Sequence, residues 1–461
     1  MSVEYACIMP HPPLIVPAVG RGEEKEIAAT TEAMQYVSRQ IAAVKPDTIV
    51  LASPHSVMYA DYIHISPGAS ARGSLARFGA PQVSVEKEYD TELVEVLADL
   101  AFEADIRAGT LGEKDASLDH GTLVPLYFIE QQIKDYKLVR VSLSGQPLIA
   151  HYRFGQLVAR AAKRLGRRIV FVASGDLSHR LKADGPYGYA PEGPEFDKRV
   201  TTAMKTGDFI AFLRMGEALC EAAGECGLRS FIEMAGALDG RAVTPDFRSY
   251  EGPFGVGYAV CGYAVGGPDE NRRFGRIYEE ERAAELAAAK AGEDAYVKLA
   301  RLSLETYVKT GKRALMPEGL PEEMTARRAG VFVSLKKDGR LRGCIGTISP
   351  TTGSIAEEIM NNAVSAGTGD PRFDPVTEDE LPHIVYSVDV LSDPEPISSM
   401  DELDPKRYGV IVSKGYRRGL LLPNLDGVDT VKQQVDIALQ KAGIRPDESY
   451  SMERFEVVRH K

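Results

Sequence analysis

At 461 residues the chain is too long for one ordinary hydrophobic core, so two or three domains are expected. With 44% hydrophobic and 26% charged residues it has a soluble globular balance, and a net charge of −11 argues against broad nucleic-acid or anionic-membrane binding. No apolar run reaches the roughly 18–20 residues of a membrane span, the start lacks a signal peptide's basic segment, and five cysteines (Cys7, Cys220, Cys226, Cys261, Cys344) show no CxxC pair, which suits free thiols in a reducing cytoplasm.

In chain order, Tyr5–Met9 reads as a strand running into Pro10-His11-Pro12-Pro13. Glu24–Val44 carries Ile27, Met34, Val37, Ile41 and Val44 on one helical face. The Ile49–Ala52 strand ends at Ser53-Pro54-His55-Ser56, completing a β–α–β unit. Tyr62–Ser66 is a further strand, Ala69–Pro81 a Gly-, Ala- and Arg-rich loop expected to lie over a pocket, and Thr91–Phe102 a helix. Asp119-His120-Gly121 precedes the apolar run Leu123–Phe128. A strand at Leu138–Leu143 and a helix at Tyr152–Leu165 lead into Ile169–Ala173, broken sharply at Ser174-Gly175-Asp176 with His179 just beyond. Helices at 195–206 and 208–215, the loop 224–227 opening onto a helix, and a strand at 255–265 complete this half.

The fold class is therefore α/β: an N-terminal α/β sandwich with a central, mostly parallel sheet over 1–266, followed by a smaller α+β domain. Gly266-Gly267-Pro268 marks a boundary and 267–292 a linker ending in an alanine-rich helix. Residues 293–461 open with a helix bearing Val297, Ala300, Leu304 and Tyr307. A hairpin turns at Asp338-Gly339 between strands 330–336 and 341–347. Helices at 354–365 and 430–442 and strands at 383–391, 409–413 and 419–422 follow.

Ligand sites in open parallel sheets lie beyond the carboxyl ends of the strands, which is where His11, His55 and His179 fall. Neutral imidazole is the commonest metal ligand and the usual acid–base at neutral pH. A non-haem iron(II) centre uses two histidines and a carboxylate on one face. His11 and His55 can supply the imidazoles, His179 is then free as a base, and His120 can hydrogen-bond substrate or bound oxygen.

These same motifs, Met9–Pro13, Ser53–Ser56, Asp119–Gly121 and Ser174–His179, resemble those of the LigB-type family of class III extradiol ring-cleaving dioxygenases, and Gly73–Pro81 resembles its Memo-like branch. The resemblance implies a metal-dependent oxidoreductase with Fe(II), a catechol-like substrate, His11 and His55 as ligands and His179 as base. The family's third ligand is a glutamate, whereas Memo-like proteins resemble this chain in having a cysteine; Cys226 is thus the expected ligand and Glu225 the fallback. A thiolate favours zinc or copper, which implies as alternative a metal- or ligand-binding accessory protein. Glu233 is expected on a helix surface.

Leu341-Arg342-Gly343-Cys344-Ile345-Gly346-Thr347, with Asp370–Phe373 and Gly419–Pro423, resembles the AMMECR family. Here Arg342 can bind an anion or pair with a local carboxylate, and Cys344 is a nucleophile or an inert strand thiol. The resemblance of the fused pair to these two families also implies a radical-SAM protein as partner; the chain has no iron–sulfur cysteine cluster of its own, so that chemistry would come from elsewhere.

Overall fold

The computed structural model describes Val3–Lys461 except Asp115 and Asp426. Two compact units divide between Glu280 and Glu281, within the helix Phe274–Gly292.

The first unit is built on six strands in the order Lys137–Ser142, Thr48–Ser53, Ile169–Ser174, Val3–Met9, Tyr258–Pro268, Arg241–Glu251. The first four run parallel, and the last two join antiparallel. Every residue of Thr48–Ser53 and Ile169–Ser174 is buried, as expected of strands covered on both faces. Alternate residues feed separate cores. Val50, Ala52, Phe171 and Ala173 pack with Leu97, Phe154 and Ile232 on one side. Ile49, Leu51, Val170 and Val172 pack with Met34, Val37 and Leu126 on the other. Helices Thr91–Glu103, Leu148–Leu165 and Leu228–Ala237 contribute to the first layer, Ala28–Val44 and His120–Ile129 to the second.

Register keeps the carboxyl ends level, with Met9 opposite Ser174 and Ser53 opposite Ser142. The connections that carry the histidines therefore leave the sheet at one height.

Several elements differ from the sequence expectation. Residues 69–81 belong to a hairpin, Ser70–Leu75 with Ala80–Glu88, joined by a short turn over Ala76–Phe78. Its buried side is carried by Ala71 and Leu75, with Gly73 so close to Leu118 that a Cβ would clash; side chains this small leave no strand pattern. The edge strand Arg241–Glu251 escaped sequence reading because it is half exposed and contains Pro245, which only an edge position tolerates. Its partner strand runs on through Pro268, so the glycines at 266–267 end a strand. Among the described residues no helix is long and apolar enough to cross a membrane.

The second unit has two four-stranded sheets. Arg340–Gly346, Val331–Lys337, Ile384–Leu391 and Val457–His460 form one, against Ala295–Thr310 and Ile355–Thr368. Glu395–Ile397, Ser451–Phe455, Gly409–Lys414 and Arg417–Leu421 form the other, against Val431–Ala442. The hairpin turn has positive φ at both Asp338 (53°) and Gly339 (81°), as a two-residue turn of this kind demands.

In the first unit the helices Leu148–Leu165 and Leu228–Ala237 meet backbone to backbone. A Cβ on Gly155 would lie 2.0 Å from the Glu233 carbonyl oxygen, and one on Gly236 equally close to that of Tyr152. Gly155→Val is expected to destabilise the unit by about 2–3 kcal/mol through overpacking, read as a lowered urea midpoint at unchanged slope.

Candidate functional site

The level carboxyl edge brings four imidazoles together. His11 Nε2 and His55 Nε2 face each other at 3.0 Å, and Cys226 Sγ lies 3.7 Å from His11 Nε2. The His120 ring stands 4.0 Å from that of His55 and 5.5 Å from that of His11, centroid to centroid. His11 is buried and His55 is the most exposed of the four.

Each side chain has a local reason for its position. His11 follows the Val3–Met9 strand, and its backbone N–H donates to Asp176 Oδ1 at 2.8 Å. Its ring is oriented by Ser174, 2.9 Å from Nδ1. The Ser174 hydroxyl donates its one proton to the Gly121 carbonyl at 2.6 Å, so it can only accept from His11. The proton of His11 therefore sits on Nδ1, and Nε2 presents a bare lone pair to the site. His120 is the first residue of its helix, which Asp119 caps by accepting from Thr122 N at 2.9 Å. His179 is fixed by its N–H to the Ala223 carbonyl, and its Nδ1 is buried without a close partner.

Burial sets the charge states. It lowers the pKa of His11 well below the ordinary imidazole value, with His55, His120 and His179 adding repulsion. It lowers His55 and His179 as well, and takes His120 down to about 4, helped by His55. All four are neutral at neutral pH, the form that binds cations or accepts protons. Burial pushes Asp176 up to about 7, and pushes the Cys226 thiol well up with Asp176 and Glu225 contributing.

Two donor groups share the thiol: His11, His55 and Cys226, and Asp176, His179 and Cys226, each with its atoms within 4.8 Å of one another. The donor set suits a cation. Tetrahedral coordination at ordinary bond lengths puts nitrogens roughly 3.3 Å apart and nitrogen and sulfur roughly 3.6 Å apart, close to the 3.0 Å between His11 and His55 and the 3.7 Å between His11 and Cys226.

Glu225 is not part of either group. Its carboxylate accepts from Leu228 N at 2.7 Å, at the start of the next helix. Asp176 is the acid at the site, legible only as part of the Ser174–His179 turn. Phe78 at the hairpin tip and Tyr187 were not anticipated as residues bordering the site. Phe78 packs on His120 at 5.4 Å and Tyr187 edge-on to His179 at 5.2 Å.

Glu233 is a further correction, being fully buried rather than on a helix surface. Its Oε1 is 2.8 Å from His151 Nδ1, while His151 Nε2 faces the Ser144 carbonyl at 3.2 Å. Burial pushes Glu233 well up and His151 down to about 3, so the pair is neutral. The Glu233 hydroxyl donates to Nδ1, and Nε2–H donates to Ser144.

In the second unit Arg342 is paired with Glu380 by two contacts of 3.0 and 2.8 Å, and also donates to the carbonyls of Asp374 and Pro375. Cys344 accepts from the Ser334 hydroxyl at 3.2 Å, and its N–H donates to Asp370.

Comparisons with known proteins agree with this division. A family model described as the catalytic LigB subunit of aromatic ring-opening dioxygenase matches residues 5–261, and one described as AMMECR1 matches 297–460. A protein of Clostridium acetobutylicum is 45% identical, covering 100% of both chains. One of Thermotoga maritima is 56% identical over 172 residues, covering 37% of this chain and 99% of its own. The crystal structure of PH0010 from Pyrococcus horikoshii is similar at 33% identity and a TM-score of 0.34, over 36% of this chain and 89% of that one.

Replacing Glu233 tests its role as a neutral donor to His151. Glu233→Gln, which keeps a donor beside His151, is expected to stay within about 1 kcal/mol of the parent. Glu233→Ala, which strands a buried imidazole, should cost about 1–3 kcal/mol, both measured by equilibrium denaturation.

Proposed function

Since the chain belongs to the family of the catalytic LigB subunit of aromatic ring-opening dioxygenase, with an AMMECR1 domain following, we propose that its first unit is a metal-dependent oxidoreductase for catechol-like diols. The observation that carries the reading is the convergence of His11 Nε2, His55 Nε2 and Cys226 Sγ beyond level strand ends.

In this reading His11, His55 and Cys226 hold the metal. A bound ferrous ion supplies Lewis acidity toward the diol oxygens and one-electron chemistry toward O₂. His179, neutral because of burial, takes a proton from a diol hydroxyl. His120 hydrogen-bonds substrate, and the rings of Phe78 and Tyr187 offer apolar faces to a planar ligand. Anaerobic loading with Fe(II) followed by O₂ uptake over a catechol panel tests it. Substrate-dependent uptake is expected, reduced at least about 100-fold in His179→Gln. Flat uptake by a chain holding one equivalent of iron would refute it.

A second reading is a metal-binding accessory protein acting with a radical-SAM enzyme; the thiol beside the two histidines bears only on which metal it would hold. Thiolate ligands favour zinc or Cu(I). One equivalent of zinc or copper in protein purified without added metal, together with no O₂ uptake, is the result expected of it.

Both readings share a pH dependence. The imidazoles are neutral already, so the proton displaced by a cation comes from Cys226, whose pKa is raised. Affinity for Zn(II) should therefore rise about tenfold per pH unit between pH 6 and 8. Cys226→Ala should flatten that slope, as followed by competition with a chromophoric chelator.

A further inference from the structure

We infer that the first turn of the His120–Ile129 helix is a clamp that sets the spacing of His11 and His55, with Asp119 and Ser53 as its positioning residues; this rests on the proposed metal centre. The helix touches the ends of two neighbouring parallel strands through two serines, one at the last position of each.

The first link runs to His55. Ser53 Oγ donates to Asp119 Oδ1 at 2.6 Å, and the His55 backbone N–H donates back to the same Ser53 oxygen at 3.3 Å. A hydroxyl has one proton, so donation to Asp119 leaves its lone pairs turned toward His55. Asp119 is itself held by Thr122, whose N–H donates to Oδ1 and whose hydroxyl donates to Oδ2 at 2.9 Å. The segment before it is anchored by buried Arg140, which donates to the Ser117 carbonyl at 2.5 Å and to Ser66 Oγ at 2.7 Å.

The second link runs to His11. Ser174 repeats the arrangement, sending its proton to the Gly121 carbonyl and taking the Nδ1 proton of His11. Gly121 lies so near the His55-bearing segment that a Cβ would come within 2.5 Å of Ser53 Oγ and 3.2 Å of His55 Cδ2. A helix needing only a cap would use the Asp119–Thr122 contacts and nothing more. The two serines, each an adapter between helix and histidine, are what the cap does not require.

Ser53→Ala separates the two roles, because it leaves the Thr122 contacts of Asp119 in place. In the metal-free full chain, hydrogen exchange by mass spectrometry should be faster over residues 54–58 in Ser53→Ala and Asp119→Ala. In Ser53→Ala, protection across 121–129 should stay at the parent level. Co(II) titration, read from its visible and thiolate charge-transfer bands, should give affinities roughly 10–100-fold weaker in both variants. The double variant should be no weaker than Asp119→Ala, because both act through one chain of contacts. Asp119→Asn, which keeps a capping oxygen, should recover most of the loss. Parent exchange rates over 54–58 in Ser53→Ala overturn the clamp, whatever the metal does. A parent chain that takes up no Co(II) refutes the metal centre instead, and the exchange data still decide whether the clamp exists.

Discussion

Desolvation at the level carboxyl edge of four parallel strands is the constraint on which the rest of this site depends. Four imidazoles, a thiol and a carboxyl meet there, and every one of them, even the more exposed His55, is pushed toward its neutral form. Such an assembly costs little while empty of charge and becomes strongly attractive to a cation, because the donors already point at one another. The sheet produces this without any special loop. In-step register at the carboxyl ends delivers His11, His55 and the Ser174–His179 turn to one height.

What the sequence made legible follows from the same geometry. Strands buried on both faces are continuously apolar, so Thr48–Ser53 and Ile169–Ser174 stand out, and a histidine after each is easily seen. Elements whose burial depends on distant partners were hidden. The Ser70–Glu88 hairpin buries only scattered residues, Ala71, Leu75, Ala80 and Val85 among them, and Arg241–Glu251 is a half-exposed edge. Glu233 looked like surface because acids usually are. Its helix is instead sealed against Leu148–Leu165 by glycine contacts that no local pattern announces. The preference for Cys226 over Glu225 was legible only through the family resemblance. Adjacent residues in a turn point apart, and here a helix start claims the carboxylate.

The second unit shows how a conspicuous motif can be explained by packing. Gly343 is required because a Cβ there would come 2.1 Å from the Ala366 carbonyl, so the Ile355–Thr368 helix can lie directly on the strand. Arg342 is held by Glu380, whose carboxyl the arginine drives down to about 2. The Cys344 amide is bound to Asp370, itself gripped by Arg372 through two contacts of 2.9 and 2.7 Å. Both arginines thus fasten the segment 370–380 to the Arg340–Gly346 strand, which is a sufficient reason for charge at these positions.

Asp176 changes how the thiol should be weighed. A facial site for ferrous chemistry needs a carboxylate, and the residue that can offer one is not Glu225 but Asp176, whose Oδ2 lies 3.8 Å from His11 Nε2. With its carboxyl raised to about 7 by burial, it is only partly ionised at neutral pH, so a cation held through Asp176 in place of Cys226 would displace less than one full proton. A soft ion gains most from the thiolate and a hard one from the carboxylate. In the proposed centre the choice between soft and hard ions would therefore turn on which of the two groups gives up its proton, and the His11 lone pair, fixed by Ser174, would serve either outcome.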